Sequence, residues 1–89
     1  MARVNNDPEA MEKFAGDVGR FIDNINDNLG ALRSAYSALG EHWQDNKRAE
    51  FDNNMNEISS SIARFSDNAR DAIVYLRRQA AKLRDYQGS

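Results

Sequence analysis

The sequence predicts an all-α chain. Its two long helices, about 8–39 and 45–86, form an antiparallel hairpin, and two such hairpins pair into a four-helix bundle. Three observations carry this. Pro occurs once in 89 residues, at Pro8, so nothing past the N-terminus breaks a long helix. Apolar residues recur in steps of three and four on both sides of a central turn. No stretch alternates apolar and polar residues between turn signals, as a strand does. The length allows one domain at most, taken as 1–89 with 1–7 as a flexible tail.

The first helix opens at Asp7-Pro8-Glu9: Asp as N-cap, Pro at the first helical position, an acid in the first turn. Met11, Val18, Ile25, Leu32 and Leu39 then repeat at seven-residue intervals, accompanied by Phe14, Phe21, Asn28 and Ala35. A helix of roughly 30 residues is about 45 Å long, and Gly40 suits its end. The second helix starts near Asp45, another good N-cap. Its stripe is Phe51, Met55, Ile58, Ile62, Phe65, Ala69, Ala72, Leu76, Leu83 and Tyr86, and Gly88 closes it. A link of about five residues folds the two helices back on each other. Leu39 then meets Phe51, Ile25 meets Ile62 and Phe65, and Met11 meets Leu76. Helix 2 is expected to overhang by about five to ten residues. The expected core is Phe14, Phe21, Ile25, Phe51, Ile62 and Phe65.

One hairpin cannot shield stripes this wide. Ile22, Leu29 and Tyr36 flank the first, while Ile73, Val74 and Tyr75 crowd around Leu76 on the second. Together with Leu83 these are the expected dimer contacts. Asn28 falls on an inward heptad position, where an Asn fixes register, or at its boundary. Gly16, Gly19 and Gly30 are expected on the outer face.

Composition narrows the function. Charged residues are 29% and hydrophobic ones 40%, a globular or coiled-coil balance. A net charge of −2 argues against nucleic acid. With no Cys there is no thiolate or disulfide chemistry. The longest apolar run is Ala72-Ile73-Val74-Tyr75-Leu76, too short for a membrane span. The N-terminus lacks the apolar core of a cleavable signal, so the expected location is cytoplasmic, or outside by a signal-peptide-independent route. Between Arg70 and Arg84 lie Arg77, Arg78 and Lys82, against Asp71 alone. That basic end reads either as cations favoured near a helix C-terminus or as a partner patch.

The catalytic inventory is thin. His42 is the only His, and Glu41 and Asp45 beside it lack a cleft in which to converge. Asp23-Asn24-Ile25-Asn26-Asp27-Asn28 fails as a calcium loop, because Ile25 takes a ligand place and no Gly follows at the sixth position. Ser59-Ser60-Ser61 is a polar helical stretch. No catalytic residue, cofactor or metal is expected.

The only Trp, Trp43, stands in the turn, where an aromatic ring can cover the end of the core or anchor a partner. With two antiparallel helices, no Cys and a mid-chain Trp turn, residues 8–86 resemble the WXG family of ESAT-like (early secreted antigen) proteins. Trp43 matches the family Trp, and Phe51 the aromatic that opens helix 2. Asp45 stands where the family has Gly, giving a Trp-x-Asp variant with Gly40 completing the turn motif. The change suits an N-cap. This variant, the Met-x-Arg-Val start and Leu83-Arg84-Asp85-Tyr86 look most like short Gram-negative members. The family pattern also places Asp or Glu four residues after a Tyr beyond helix 2; here Gln79 follows Tyr75 at that distance.

The resemblance implies a non-enzymatic interaction module, a secreted factor or a chaperone-like partner of a secretion system. Its partners would be a second copy or a sister ESAT-like protein, with a larger effector or secretion component beyond. The alternative is an intracellular coiled-coil scaffold or adaptor with no link to secretion, which fractionation would distinguish.

Overall fold

The computed structural model describes residues 6–87, with side-chain burial through residue 86. α1 spans Pro8–Leu39, a single 3-10 turn spans Gly40–His42, and α2 spans Asn46–Gln87. The expected tail lies mostly outside the described residues, at 1–5, as does Gly88. Asp7 starts α1 as its chemistry requires: Oδ1 accepts the amides of Glu9 (2.9 Å) and Ala10 (3.4 Å), and Pro8 follows where no amide hydrogen is needed.

The two helices pack antiparallel along one seam. On α1 the buried line is Ala15, Ile22 and Leu29, seven apart, with Met11, Val18 and Ile25 half-buried beside it. On α2 the seam runs Met55, Ser59, Ile62, Ser66, Ala69, Ile73, Leu76, Ala80, Leu83, in alternating steps of four and three. Ala15, Ile22, Ala69 and Ile73 form the central cluster, with Val18 and Leu76 against it.

This corrects the expected phase. Phe14, Phe21 and Phe65 are not core: they are 58%, 51% and 44% exposed. Ile25, Phe51 and Ile62 are half-buried. Asn28 is exposed rather than inward. Conversely Ile22, Leu29 and Ile73, expected to meet a second chain, are buried inside the hairpin. The reason is size. The seam carries Ala15, Gly19, Ser66, Ala69 and Ala80, which bring the backbones too close for a phenyl ring between them. A Cβ built on Gly19 would stand 3.9 Å from Ile73 Cδ1, so Gly19 faces α2 and not outward. Gly30 does face open space. From Gly19 back to Pro8 is eleven residues, and eleven on from Ile73 is residue 84. α2 therefore projects only about three residues past α1, fewer than expected.

A polar bond crosses the middle of the seam. Asn26 Nδ2 donates to Ile22 O on its own helix (2.8 Å) and to Ser66 Oγ on α2 (3.3 Å). Ser66 is 3% exposed, and no described buried side-chain polar atom lacks a partner. At the open end Arg84 pairs with Glu12 across the helices.

Candidate interaction face and the tip of the hairpin

The tip is built from both helices. Gly40 ends α1 with φ +48° and ψ −124°, a conformation that disfavours any Cβ, and its amide donates to Tyr36 O. Trp43 then runs extended, and its half-buried indole meets Tyr36 edge-on at 6.3 Å and Phe51 at 5.6 Å. Tyr36 and Phe51 lie 5.0 Å apart, closing an aromatic triangle. Asp45 Oδ1 accepts the indole Nε1–H (2.9 Å) and the Lys47 amide (2.9 Å), so one carboxylate oxygen both caps α2 and orients the Trp. The glycine of a Trp-x-Gly turn has no side chain to do either.

Arg48 completes the tip. Its guanidinium donates to Gly40 O, to Trp43 O (2.9 Å) and to Tyr36 Oη (3.2 Å), and lies 5.4 Å from the Tyr36 ring centre. Tyr36 in turn donates to Asp52. Tyr36, expected at a chain–chain contact, is thus engaged within the hairpin. Arg48 is not legible from sequence, because bonds to main-chain carbonyls several residues away carry no residue pattern.

The displaced phenylalanines lie on one side of the hairpin. Phe21 and Phe65 touch edge to face at 5.7 Å, and Phe14, Asp17, Val18, Phe21 and Phe65 line a groove of about 270 Å³. Helical geometry extends this face in both directions. Leu32 and Leu39 follow Phe14 and Phe21 by 18 residues, five full turns, and Ile58 precedes Phe65 by seven. Leu76 follows Ile58, and Leu83 follows Phe65, by the same 18. Leu32, Leu39 and Ile58 are 40% exposed or more. The other side is polar: Asp23, Asn26, Asp27, Ser66, Asp67 and Arg70 gather over the Asn26–Ser66 bond. The hairpin is therefore amphipathic as a whole, with one apolar and one polar face.

Asp17 borders the apolar groove. Lys13 (3.2 Å) and Arg20 flank it on the same helix, and hydrogen bonding from Lys13 leads in holding its carboxyl below the usual range. His42 and Glu41 are exposed at the tip, and the Asp45 carboxylate is occupied by Trp43 and Lys47. Among the described residues no group of three or more His, Cys, Asp or Glu is placed to hold a metal ion, and no helix is long and apolar enough to cross a membrane. Val74 and Tyr75 point off the outer side of α2, while Leu76 and Leu83 are half-buried at the seam's edge.

Comparison with known proteins places the chain by a family model. Residues 3–87 match the WXG100 family model, described as proteins of 100 residues with WXG. Neither the curated proteins nor the solved structures contain a match. The match covers the hairpin from end to end, with Trp43 at its turn, and the chain belongs to the WXG100 family, carrying aspartate in the place of the motif's glycine.

Proposed function

We propose that this chain is a non-enzymatic protein–protein interaction module that works as a dimer, two hairpins covering each other's Phe14, Phe21 and Phe65 faces in a four-helix bundle. The observation that carries the reading is that apolar face. The surface area supports it. The chain exposes 7040 Å², whereas a compact monomer of 10.1 kDa exposes roughly 5,300 Å². Part of the excess of about 1,700 Å² comes from the elongated shape of a two-helix hairpin, and it leaves room for the ~800 Å² per partner of a standard stable interface. Leu76 and Leu83 remain contacts in this arrangement, joined by Leu32, Leu39 and Ile58.

Membership of an ESAT-like family favours a role beside a secretion machine, as an exported factor or as a chaperone-like partner of a larger effector. Light scattering on the purified chain tests the dimer: a mass near twice 10.1 kDa is expected. A dispersed monomer at all concentrations would refute a homodimer and direct attention to a sister chain. Fractionation of the native host tests the link to secretion, and protein confined to the cytoplasm in both wild-type and secretion-deficient cells would count against export.

A further inference from the structure

We propose that the outer side of α2 from Arg70 to Lys82 is a second docking surface, for an acidic segment of another protein that carries a large apolar side chain. Tyr75 is 61% exposed and Val74 48%. Both are flanked by cations at helical spacing: Arg70, Val74 and Arg77 form one stripe, and Tyr75, Arg78 and Lys82 the next. Asp71, Val74, Tyr75, Arg78, Gln79 and Lys82 line a shallow depression of about 500 Å³.

Intramolecular pairing does not account for these charges. Glu12 takes Arg84, whereas Arg70, Arg77, Arg78 and Lys82 form no ion pair with a described residue. Nor does the helix dipole account for them. Its effect fades within the last turn, and α2 runs on to Gln87 with Arg84 as that turn's cation. An exposed aromatic flanked by cations that no described residue pairs has the make-up of an interface anchor.

The chemistry selects the partner. A membrane-surface helix needs a continuous apolar face to sink between headgroups. Here the neighbouring Ile73, Leu76 and Ala80 are committed to the seam, leaving only Val74 and Tyr75. A nucleic acid would meet Asp71 inside the depression and a chain of net charge −2. An acidic peptide needs no continuous apolar face and can space its few carboxylates to meet Arg70, Arg77, Arg78 and Lys82 on either side of Asp71, while its apolar residue lies on Tyr75 and Val74, which a phosphate backbone would leave uncovered. Tyr75, Lys82 and Arg78 follow Phe65 by 10, 17 and 13 residues, about 80°, 100° and 140° round the helix, so the surface borders the proposed dimer face at Tyr75 and turns away from it at Arg78.

The test is fluorescence anisotropy on the full-length protein with four probes: a labelled Glu-rich peptide with Leu at every fourth position, poly-glutamate, duplex DNA, and phosphatidylcholine–phosphatidylglycerol vesicles. Saturable binding of the Leu-bearing peptide is expected, with poly-glutamate weaker. Arg78→Glu with Lys82→Glu should weaken it about tenfold and Tyr75→Ser about fivefold, with helicity and light-scattering mass unchanged. Arg33→Glu on α1 serves as a charge control and should have no effect. The proposal is overturned by no binding, by equal binding of poly-glutamate or DNA, by binding to vesicles alone, or by an equal loss with Arg33→Glu. Because mass is read on the same samples, a failed dimer and a failed docking surface are separate results.

Discussion

Phe21 and Ile22 are neighbours in the chain that face different partners, so the same truncation should have two different signatures. Phe21 is 51% exposed. An aromatic side chain offers roughly 200 Å², so about 100 Å² of it awaits a partner. At ~25 cal/mol per Å² that area is worth about 2.5 kcal/mol, of which Ala keeps little. Symmetry doubles the loss to about 4 kcal/mol per dimer, roughly a thousandfold in the dissociation constant. Ile22 is 2% exposed, so Ile22→Ala opens a cavity inside one hairpin and costs about 2–5 kcal/mol per chain. Thermal melts by circular dichroism over a hundredfold concentration range separate the two. Phe21→Ala should convert a concentration-dependent midpoint into that of a helical monomer, with the mass halved at low concentration. Ile22→Ala should lower the midpoint at every concentration. A Phe21→Ala chain that stays dimeric with an unaltered dissociation constant would refute the assignment of this face.

Three further outcomes follow from the tip and from α1. Asp45→Ala removes the α2 cap and the indole's acceptor together and should cost about 1–2 kcal/mol, with near-ultraviolet dichroism losing the fixed Trp43 signal; an unchanged spectrum would mean the indole is held by Tyr36 and Phe51 alone. Gly40→Ala forces a Cβ onto φ +48° and should cost about 1–3 kcal/mol in urea unfolding, although nothing lies within 4 Å of the new atom; a neutral result would show that the turn relaxes. The Asp17 carboxyl is held below its ordinary value, so its stabilising effect is complete above the unfolded pKa and is lost as pH falls through the folded one. Asp17→Asn should therefore lower the midpoint slightly at neutral pH, with the difference from wild type fading as pH falls through the folded pKa; a difference that persists in strong acid would assign the effect to something other than the charge.

Much of the fold was legible because its boundaries are local chemistry. Asp7-Pro8, Gly40 and Asp45 each solve a terminus problem with their own side chain or backbone freedom, and all three stand where the structure needs them. The seven-residue repeat was legible as well. Which of its lines faces α2 was not. α1 offers Phe14 and Phe21 beside Ala15, Ile22 and Leu29, and transfer energy alone favours the rings for the interior. A helix in a bundle has more than one neighbour, so its apolar stripe is wider than one seam. The choice between lines is made by volume, through small residues on each helix that make room for the other, as Gly19 does for Ile73. Ser66, which the apolar stripe of α2 passes over between Phe65 and Ala69, lies inside, where Asn26 reaches it from the other helix. At the tip, Trp43 and Asp45 stood out by rarity and capping chemistry, while Arg48 acts on carbonyl groups that any residue would present.

The tip also sets the order in which the chain is easiest to assemble. Its contacts are short in sequence: Arg48 reaches back 12 residues to Tyr36, which reaches forward 16 to Asp52. The Arg84–Glu12 pair at the open end closes a loop of 72 residues. Loop-closure entropy makes the longer loop about 1.3 kcal/mol harder to close from an open chain. Once Tyr36, Trp43, Arg48 and Phe51 are together, each further rung adds only a few newly ordered residues, and its register is already set. The hairpin closes like a zipper whose slider starts at Trp43. A substitution in the tip should then slow folding, while one at Glu12 or Arg84 should mainly hasten opening.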